Sequence, residues 1–403
     1  MYDLIVRGGT IVDGTGAAPF IGDIAIQDGK VAQVGSVGAK DSEARNVIDA
    51  EGKIVTPGFV DIHTHYDGQA TWDSLLTPTA WHGVTTLVMG NCGVGFAPVA
   101  PGKQEFLIGL MEGVEDIPGT ALHEGITWDW ETFPEYLDSL DRREYAMDIG
   151  TQVPHGAVRA YVMGDRGAKN EPATAKDIEE QAAVVKEAIQ AGALGFSMSR
   201  TIVHRAVDGE VVPGTHGAED EIFGIARVLG ELGEGIVELA PAGIQGEDMS
   251  APDKEMDWMR RLSAEIQRPV SFALVQHDVA PKDWKRLLDL CDEAGEKDGA
   301  DLRPQVSARP NTLLIGHQSF HPFSFRPTYM AMHERPLEEK VAELRKPEVR
   351  EKILSEESYY AIPQMKVVVQ MIEQGIDKIF RLGTPPNYEP APEESLKAIA
   401  ESE

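Results

Sequence analysis

The run Pro57-Gly58-Phe59-Val60-Asp61-Ile62-His63-Thr64-His65 places two imidazoles two residues apart at the end of a β-prone apolar stretch. In a strand, residues i and i+2 share a face, so His63 and His65 can offer both rings to one metal ion. A second run, Gly83-Val84-Thr85-Thr86-Leu87-Val88-Met89-Gly90-Asn91-Cys92-Gly93, sets a thiol just past another apolar strand, between glycines that permit a tight backbone turn. Two imidazoles and a thiolate make a donor set suited to zinc. Each feature also has a plainer reading: a polar strand end with hydrogen-bonded imidazoles, and a small buried thiol. Cys291, on the apolar face of a helix, reads as core packing.

These side chains need a scaffold, and the remaining pattern supplies one. Apolar strands at Val60-Asp61-Ile62, Thr85 to Met89, Met147 to Ile149, Ala193 to Phe196, Gly235 to Leu239, Val270 to Leu274 and Leu302 to Val306 alternate with amphipathic helices such as Ala175 to Ala191 and Trp284 to Ala294. Strands separated by helices pair in parallel, because a crossover needs that length. The fold class is α/β: a TIM-like (β/α) barrel, incomplete, with about seven of its eight strands accounted for. His63, His65 and Cys92 fall at carboxyl ends of strands, where the mouth of such a barrel forms its site. Residues 1–54 hold β-prone pieces divided by Gly and Asp turns, expected to form a small antiparallel sheet before a barrel domain at 55–403. Trp128, Trp130 and Phe133 read as a local packing cluster.

With 37 basic and 66 acidic residues, the formal charge is −29, a field that disfavours nonspecific attraction to nucleic acid or anionic membranes. Cys92 and Cys291 are the only cysteines, too few for a disulfide framework, and point to a reducing compartment. No apolar run approaches the ~18 residues of a membrane span, and the amino terminus lacks a basic start followed by an apolar core. The expectation is a cytoplasmic protein acting on a small molecule, with assembly into a homo-oligomer left open.

His63-Thr64-His65-Tyr66-Asp67-Gly68-Gln69, Gly83-Val84-Thr85-Thr86 and Gly90-Asn91-Cys92-Gly93 resemble motifs of the N-acyl-D-amino-acid deacylase branch of the metal-dependent amidohydrolases. The similarity continues through His155-Gly156-Ala157-Val158-Arg159, Gly192 to Ser197 and Val212-Pro213-Gly214-Thr215. The resemblance implies that His63 and His65 are metal ligands on the first barrel strand and Cys92 a thiolate ligand after the second. It also implies zinc, as one or two divalent ions, and a small-molecule amide substrate split into a carboxylic acid and an amine.

It calls further for a histidine at the end of the fifth and of the sixth strand, where this sequence departs. The fifth carries Glu238, a substitute oxygen ligand or a hydrogen-bonded carboxylate; the sixth is followed, slightly late, by His277. His155 and Arg159 could bind a substrate carboxylate or order a loop. The family's proton-transfer Asp on the eighth strand, and the strands completing its small β-sandwich, are expected beyond Glu403. An N-acyl-D-amino acid is the nearest substrate; a cyclic amide, or an inactive or partner-dependent fragment, are the alternatives.

Overall fold

The protein is described by a computed structural model covering residues 1–307, 312–319, 321–360 and 365–402. The chain divides into two compact units, one of Met1–His63, Asp73–Val88 and Tyr145–Ile149, the other of Thr64–Trp72, Met89–Glu144 and Gly150–Glu403.

The first unit begins with β1 (Tyr2–Ile11), β2 (Phe20–Gln27), β3 (Lys30–Gly35), β4 (Ala44–Asp49) and β5 (Ile54–Val55), in the order β3-β2-β1-β4, with β5 also on β1. Leu4 to Val6 and Gly9 to Ile11 belong to one strand, whose register against β2 shifts between Val6 and Gly9. β1, β2 and β3 run antiparallel, β2 and β3 joined at Asp28-Gly29, both with positive φ as a tight hairpin turn demands. β4 and β5 instead lie parallel to β1, which corrects the all-antiparallel expectation. The cause is topological: after β3 the chain returns along the sheet through residues 36–43 and lays β4 on the opposite edge. Ile5, Ala25 and Val37 form the buried centre of this small sheet.

A three-stranded sheet follows, ordered β6 (Phe59–Asp61), β7 (Val84–Met89), β8 (Asp148–Thr151), with β6 and β7 parallel. Between β7 and β8 come α1 (Gln104–Glu115), α2 (Gly119–Gly125) and α3 (Phe133–Asp141).

The second unit is built on β9 (Val153–Pro154), β10 (Gly195–Ser199), β11 (Ile236–Ala240), β12 (Val270–Leu274) and β13 (Leu302–Val306), in sequential order and parallel throughout. Helices α4 (His155–Met163), α5 (Asp165–Ala168) and α6 (Ala175–Ala191) link β9 to β10. α7 (Glu219–Leu232), α8 (Ala251–Ile266) and α9 (Asp283–Asp298) make the next three crossovers. Every segment read from the sequence as a barrel strand overlaps a strand, though Ile62, Met147, Ala193, Leu194 and Gly235 fall outside the observed bounds; β9, two residues long, carried no periodicity to read.

In β10 and β11 the buried apolar residues Phe196, Met198, Val237 and Leu239 alternate with the equally buried Ser197, Ser199 and Glu238. Both faces are covered, as a parallel sheet requires. The register sets Ser197 beside Glu238 and Glu238 beside Ser271, so one polar row crosses three strands. This row turns out to support the site.

α6 shows how the scaffold starts its helices. Thr174 and Asp177 form a reciprocal cap: the Asp177 N–H donates to Thr174 Oγ1 at 3.2 Å, and the Thr174 N–H to Asp177 Oδ2 at 2.7 Å. Arg166 also donates to Asp177 Oδ2, at 3.1 Å. The Arg166 hydrogen bond, then the Thr174 N–H, hold the Asp177 carboxyl at about 2. A depressed carboxyl stabilises above its unfolded value of about 4 and loses that contribution as pH falls through its folded value. Asp177→Ala is therefore expected to lower stability by about 1 kcal/mol at neutral pH. In urea unfolding the gap from the unaltered protein should close as pH is taken from 5 towards 2; a constant gap would contradict this account.

Candidate metal centre

β6 ends at Asp61, so His63 and His65 stand in the irregular segment beyond it. Strand parity, the reason given above for pairing the two rings, is not what aligns them; the turn after the strand does. Asp61 Oδ1 accepts the His63 N–H at 3.3 Å, and Asn91 Nδ2 donates to the Thr64 carbonyl at 3.0 Å. The ligating atoms of His63, His65 and Cys92 all lie within 4.8 Å of one another. Two imidazole nitrogens and one sulfur so clustered form a candidate site for a divalent metal ion.

The turn that presents Cys92 is strained and tightly fitted. Gly90, Cys92 and Gly93 all have positive φ, at 76°, 55° and 70°. A side chain at Gly90 would overlap the Gln152 carbonyl, and one at Gly93 would come within 2.8 Å of the Ser199 nitrogen. Only glycine serves at those two positions. Cys92 bears the same conformation as an L residue, which persists only where the surroundings enforce it.

They do so through the polar row of the parallel sheet. Ser197 Oγ donates to the Gly90 carbonyl and accepts the Gly93 N–H at 3.1 Å. Glu238 Oε2 accepts the Cys92 N–H at 3.0 Å. Gln152 Nε2 donates to Asn91 Oδ1 at 2.7 Å, which ties the Cys92 turn, through Asn91, to Thr64.

Negative groups crowd this place. Burial, then the Glu238, Glu115 and Asp67 carboxylates, push the Cys92 thiol far above its ordinary range. Burial raises Asp67, only 1% exposed, to about 7, against hydrogen bonds from backbone N–H groups that lower it. Burial, then Asp67, raises Glu115 to about 8. A buried thiol among buried carboxylates is costly without a cation, and a divalent ion offsets that cost while favouring the thiolate. The donor set and its field therefore fit such an ion.

The donor group of His63, His65 and Cys92 does not include the other residues singled out in the sequence. Glu238 is buried in β11 with one oxygen on the Cys92 backbone. His277 follows β12, where its Nδ1 accepts the Ala280 N–H at 3.3 Å, and borders an apolar pocket with Phe272, Met256 and Met259. His155 and Arg159 are buried in α4: His155 Nε2 is 3.1 Å from Glu221 Oε1, and Arg159 forms an ion pair with the same oxygen. Gln181 Nε2 adds a third contact to it at 3.2 Å. This network joins α4, α6 and α7 inside the fold.

Trp128 and Trp130 pack with Phe96 and Tyr136, and Phe133 against Tyr136, while Trp130 Nε1 donates to the Phe96 carbonyl at 2.8 Å. Glu115, whose Oε1 lies 3.3 Å from His65 Nε2, went unread in the sequence because no motif marks it.

The pattern of the Amidohydrolase family matches residues 46–358, and the chain belongs to that family. Within it the chain is related to the D-aminoacylase and N-acyl-amino-acid deacylase branch of the metal-dependent amidohydrolases. It is 32% identical over 196 residues to the D-aminoacylase of Alcaligenes xylosoxydans xylosoxydans, covering 49% of this chain and 37% of that protein. To an uncharacterized protein of Mycobacterium tuberculosis it is 34% identical over 202 residues, 49% of this chain and 32% of the relative.

A crystal structure of D-aminoacylase matches with a TM-score of 0.61 at 28% identity, covering 77% of this chain and 59% of the other. N-acyl-D-glutamate deacylase from Bordetella bronchiseptica, complexed with zinc and a phosphonate inhibitor, matches at 0.59 and 25% identity with the same coverage. The chain spans about a third of these curated relatives and less than two thirds of the solved structures. The parallel sheets and crossover helices are consistent with the (β/α)-barrel type of amidohydrolase fold.

Elemental analysis of the purified protein should find about one divalent metal ion or more per chain. His65→Ala and Cys92→Ala should lose it and Cys291→Ala retain it. Gly90→Ala, which alters no ligand, should lose metal and stability together through its clash with Gln152. Equal metal content in all four variants would show that the ion sits elsewhere.

Proposed function

We propose that the protein is a zinc-dependent hydrolase of a linear amide, with an N-acyl-D-amino acid or related N-acyl compound as substrate. The observation that carries this reading is the clustering of the His63, His65 and Cys92 donor atoms within 4.8 Å. Two imidazoles and a thiolate favour zinc over magnesium or calcium, which prefer oxygen. The D-aminoacylase it resembles has a binuclear metal centre with one-metal activation and second-metal attenuation, and one or two ions are proposed here. The N-acyl-D-glutamate deacylase is complexed with zinc and a phosphonate inhibitor that mimics the reaction's tetrahedral intermediate, which supports hydrolysis as the reaction class.

His63, His65 and Cys92 would hold the ion, which when bound supplies Lewis acidity towards the amide carbonyl and towards water. The protein's own contribution is orientation. Ser197 and Glu238 fix the Cys92 turn, Asn91 binds it to the Thr64 segment, and both tie the ligands to the rigid parallel sheet. A thiolate ligand must stay reduced, which favours a cytoplasmic setting.

The test is amine release from paired N-acetyl-D- and N-acetyl-L-amino acids. Turnover should favour the D series, fall ~100-fold or more on chelation or in His63→Ala, and return with added zinc in the chelated sample alone. A folded, zinc-loaded protein that releases no amine from any member would refute the substrate reading and leave the metal site standing.

A further inference from the structure

Among the described residues, the largest side chain withdrawn from solvent is that of Arg159, a permanent cation, one helical turn past the equally buried His155 in α4. Both meet one oxygen of Glu221, in the first turn of α7: His155 Nε2 lies 3.1 Å from Oε1, and Arg159 forms an ion pair with it. Gln181 of α6 donates to the same atom at 3.2 Å. A buried charge cluster is costly to desolvate, and apolar packing would join the same helices without that cost. What convergence on one atom adds is a fixed placement of the helices that carry the groups.

The start of α4 is where that placement matters. The helix follows β9 directly, and Pro154 at its N-cap makes no side-chain hydrogen bond to it. The Gly156 N–H instead donates to the Gly93 carbonyl at 3.0 Å, one residue past Cys92. The approach is close: a side chain at Gly156 would come within 2.7 Å of that carbonyl, and one at Gly95 within 2.9 Å of Pro154. His155 is confined further by the Phe196 ring, with centroids 5.2 Å apart, and by Gly214, where a side chain would overlap Nδ1. Gly93 is thus held on both sides, its N–H by Ser197 and its carbonyl by α4.

We propose that Glu221 is a positioning residue for the metal centre: through His155 it seats the first turn of α4, which holds Gly93 and so aims Cys92. The proposal rests on the metal-centre reading above. Glu221 stands outside the donor cluster, and its effect passes along the backbone from His155 to Gly156 and across to Gly93.

Zinc affinity of the full chain, from competition with a chromophoric chelator, is read beside urea unfolding. Glu221→Gln should bind zinc about 10-fold more weakly. Ile189→Ala, a cavity about two turns along α6 from Gln181, should lose stability and keep the affinity of the unaltered protein. Arg159→Met combined with Glu221→Leu removes both charges together; it should recover much of the stability that Glu221→Gln loses, while zinc binding stays about 10-fold weak. A role in stability alone makes affinity follow stability in all three, and that outcome overturns the proposal while the metal centre stands. Unchanged affinity in Glu221→Gln overturns it as well. A folded, unaltered protein that binds no zinc takes down the metal-centre reading and this proposal together. Should the Glu221 variants fail to fold, His155→Leu, which leaves the Arg159–Glu221 pair intact, should weaken zinc by the same factor, and unchanged affinity there overturns the proposal.

Discussion

The hydrogen bond from the Cys92 N–H to Glu238 is the contact through which the parallel sheet reaches the metal-binding turn. Cys92 occupies a backbone conformation that costs an L residue about 1–3 kcal/mol. A hydrogen bond to a charged group contributes about 1.5–3 kcal/mol, enough to hold the turn in that shape. Because Glu238 sits in β11, between Ser197 of β10 and Ser271 of β12 in register, the turn inherits the rigidity of three paired strands. The same carboxylate places negative charge beside the thiol. It therefore acts twice, shaping the backbone that aims Cys92 and favouring a cation there over a bare thiolate.

That second effect separates the site from the chain's general acidity. A net charge of −29 spread over an exposed surface is screened by salt within about 10 Å and says little about any one cleft. Asp67, Glu115, Glu238 and Cys92 are different, because burial withholds water from them and their mutual repulsion goes unscreened. Such a group of side chains is stable when protonated or when paired with a cation. Two adjacent imidazoles tilt that choice towards a metal, which they can bind and a bare acidic pocket would hold less selectively.

Much of this was legible in the sequence, and the boundary of legibility has physical causes. His63, His65 and Cys92 could be found because each follows a short apolar run, and such runs end where side chains leave the sheet. The reasoning for the two histidines was only partly right, since β6 stops at Asp61 and a turn aligns the rings. Alternation of strands and helices gave the parallel sheet, because periodicity is local. The parallel return of β4 was hidden, because pairing sense depends on where the chain has travelled. Glu238 was read as a ligand or a hydrogen-bonded carboxylate; its bond to the Cys92 N–H depends on a register that no local pattern carries. Arg159 was read as binding a substrate carboxylate or ordering a loop; its ion pair with Glu221 of α7 depends on a helix packing that no local pattern carries. Glu115 was invisible for the same reason: its partner is set by the docking of α1 on residues 205–207, a long-range fit.

The arrangement divides labour along the chain. The clustered donors come from two short segments, at residues 63–65 and 92, each just past a strand of the β6-β7-β8 sheet. The groups that hold those segments come from β10 and β11, and from α1 for His65. A ligand substitution therefore removes donor atoms while the sheet still folds, whereas a change at Ser197 or Glu238 moves a ligand that is chemically intact. The loops that follow β11 and β12 carry neither kind of residue in this cluster, and His277 there is engaged with its own turn. Those loops can vary without disturbing the groups that hold the cluster. On this division, the donor cluster is constrained by the strands and helix that hold it, while the loops after β11 and β12 stand under weaker constraint.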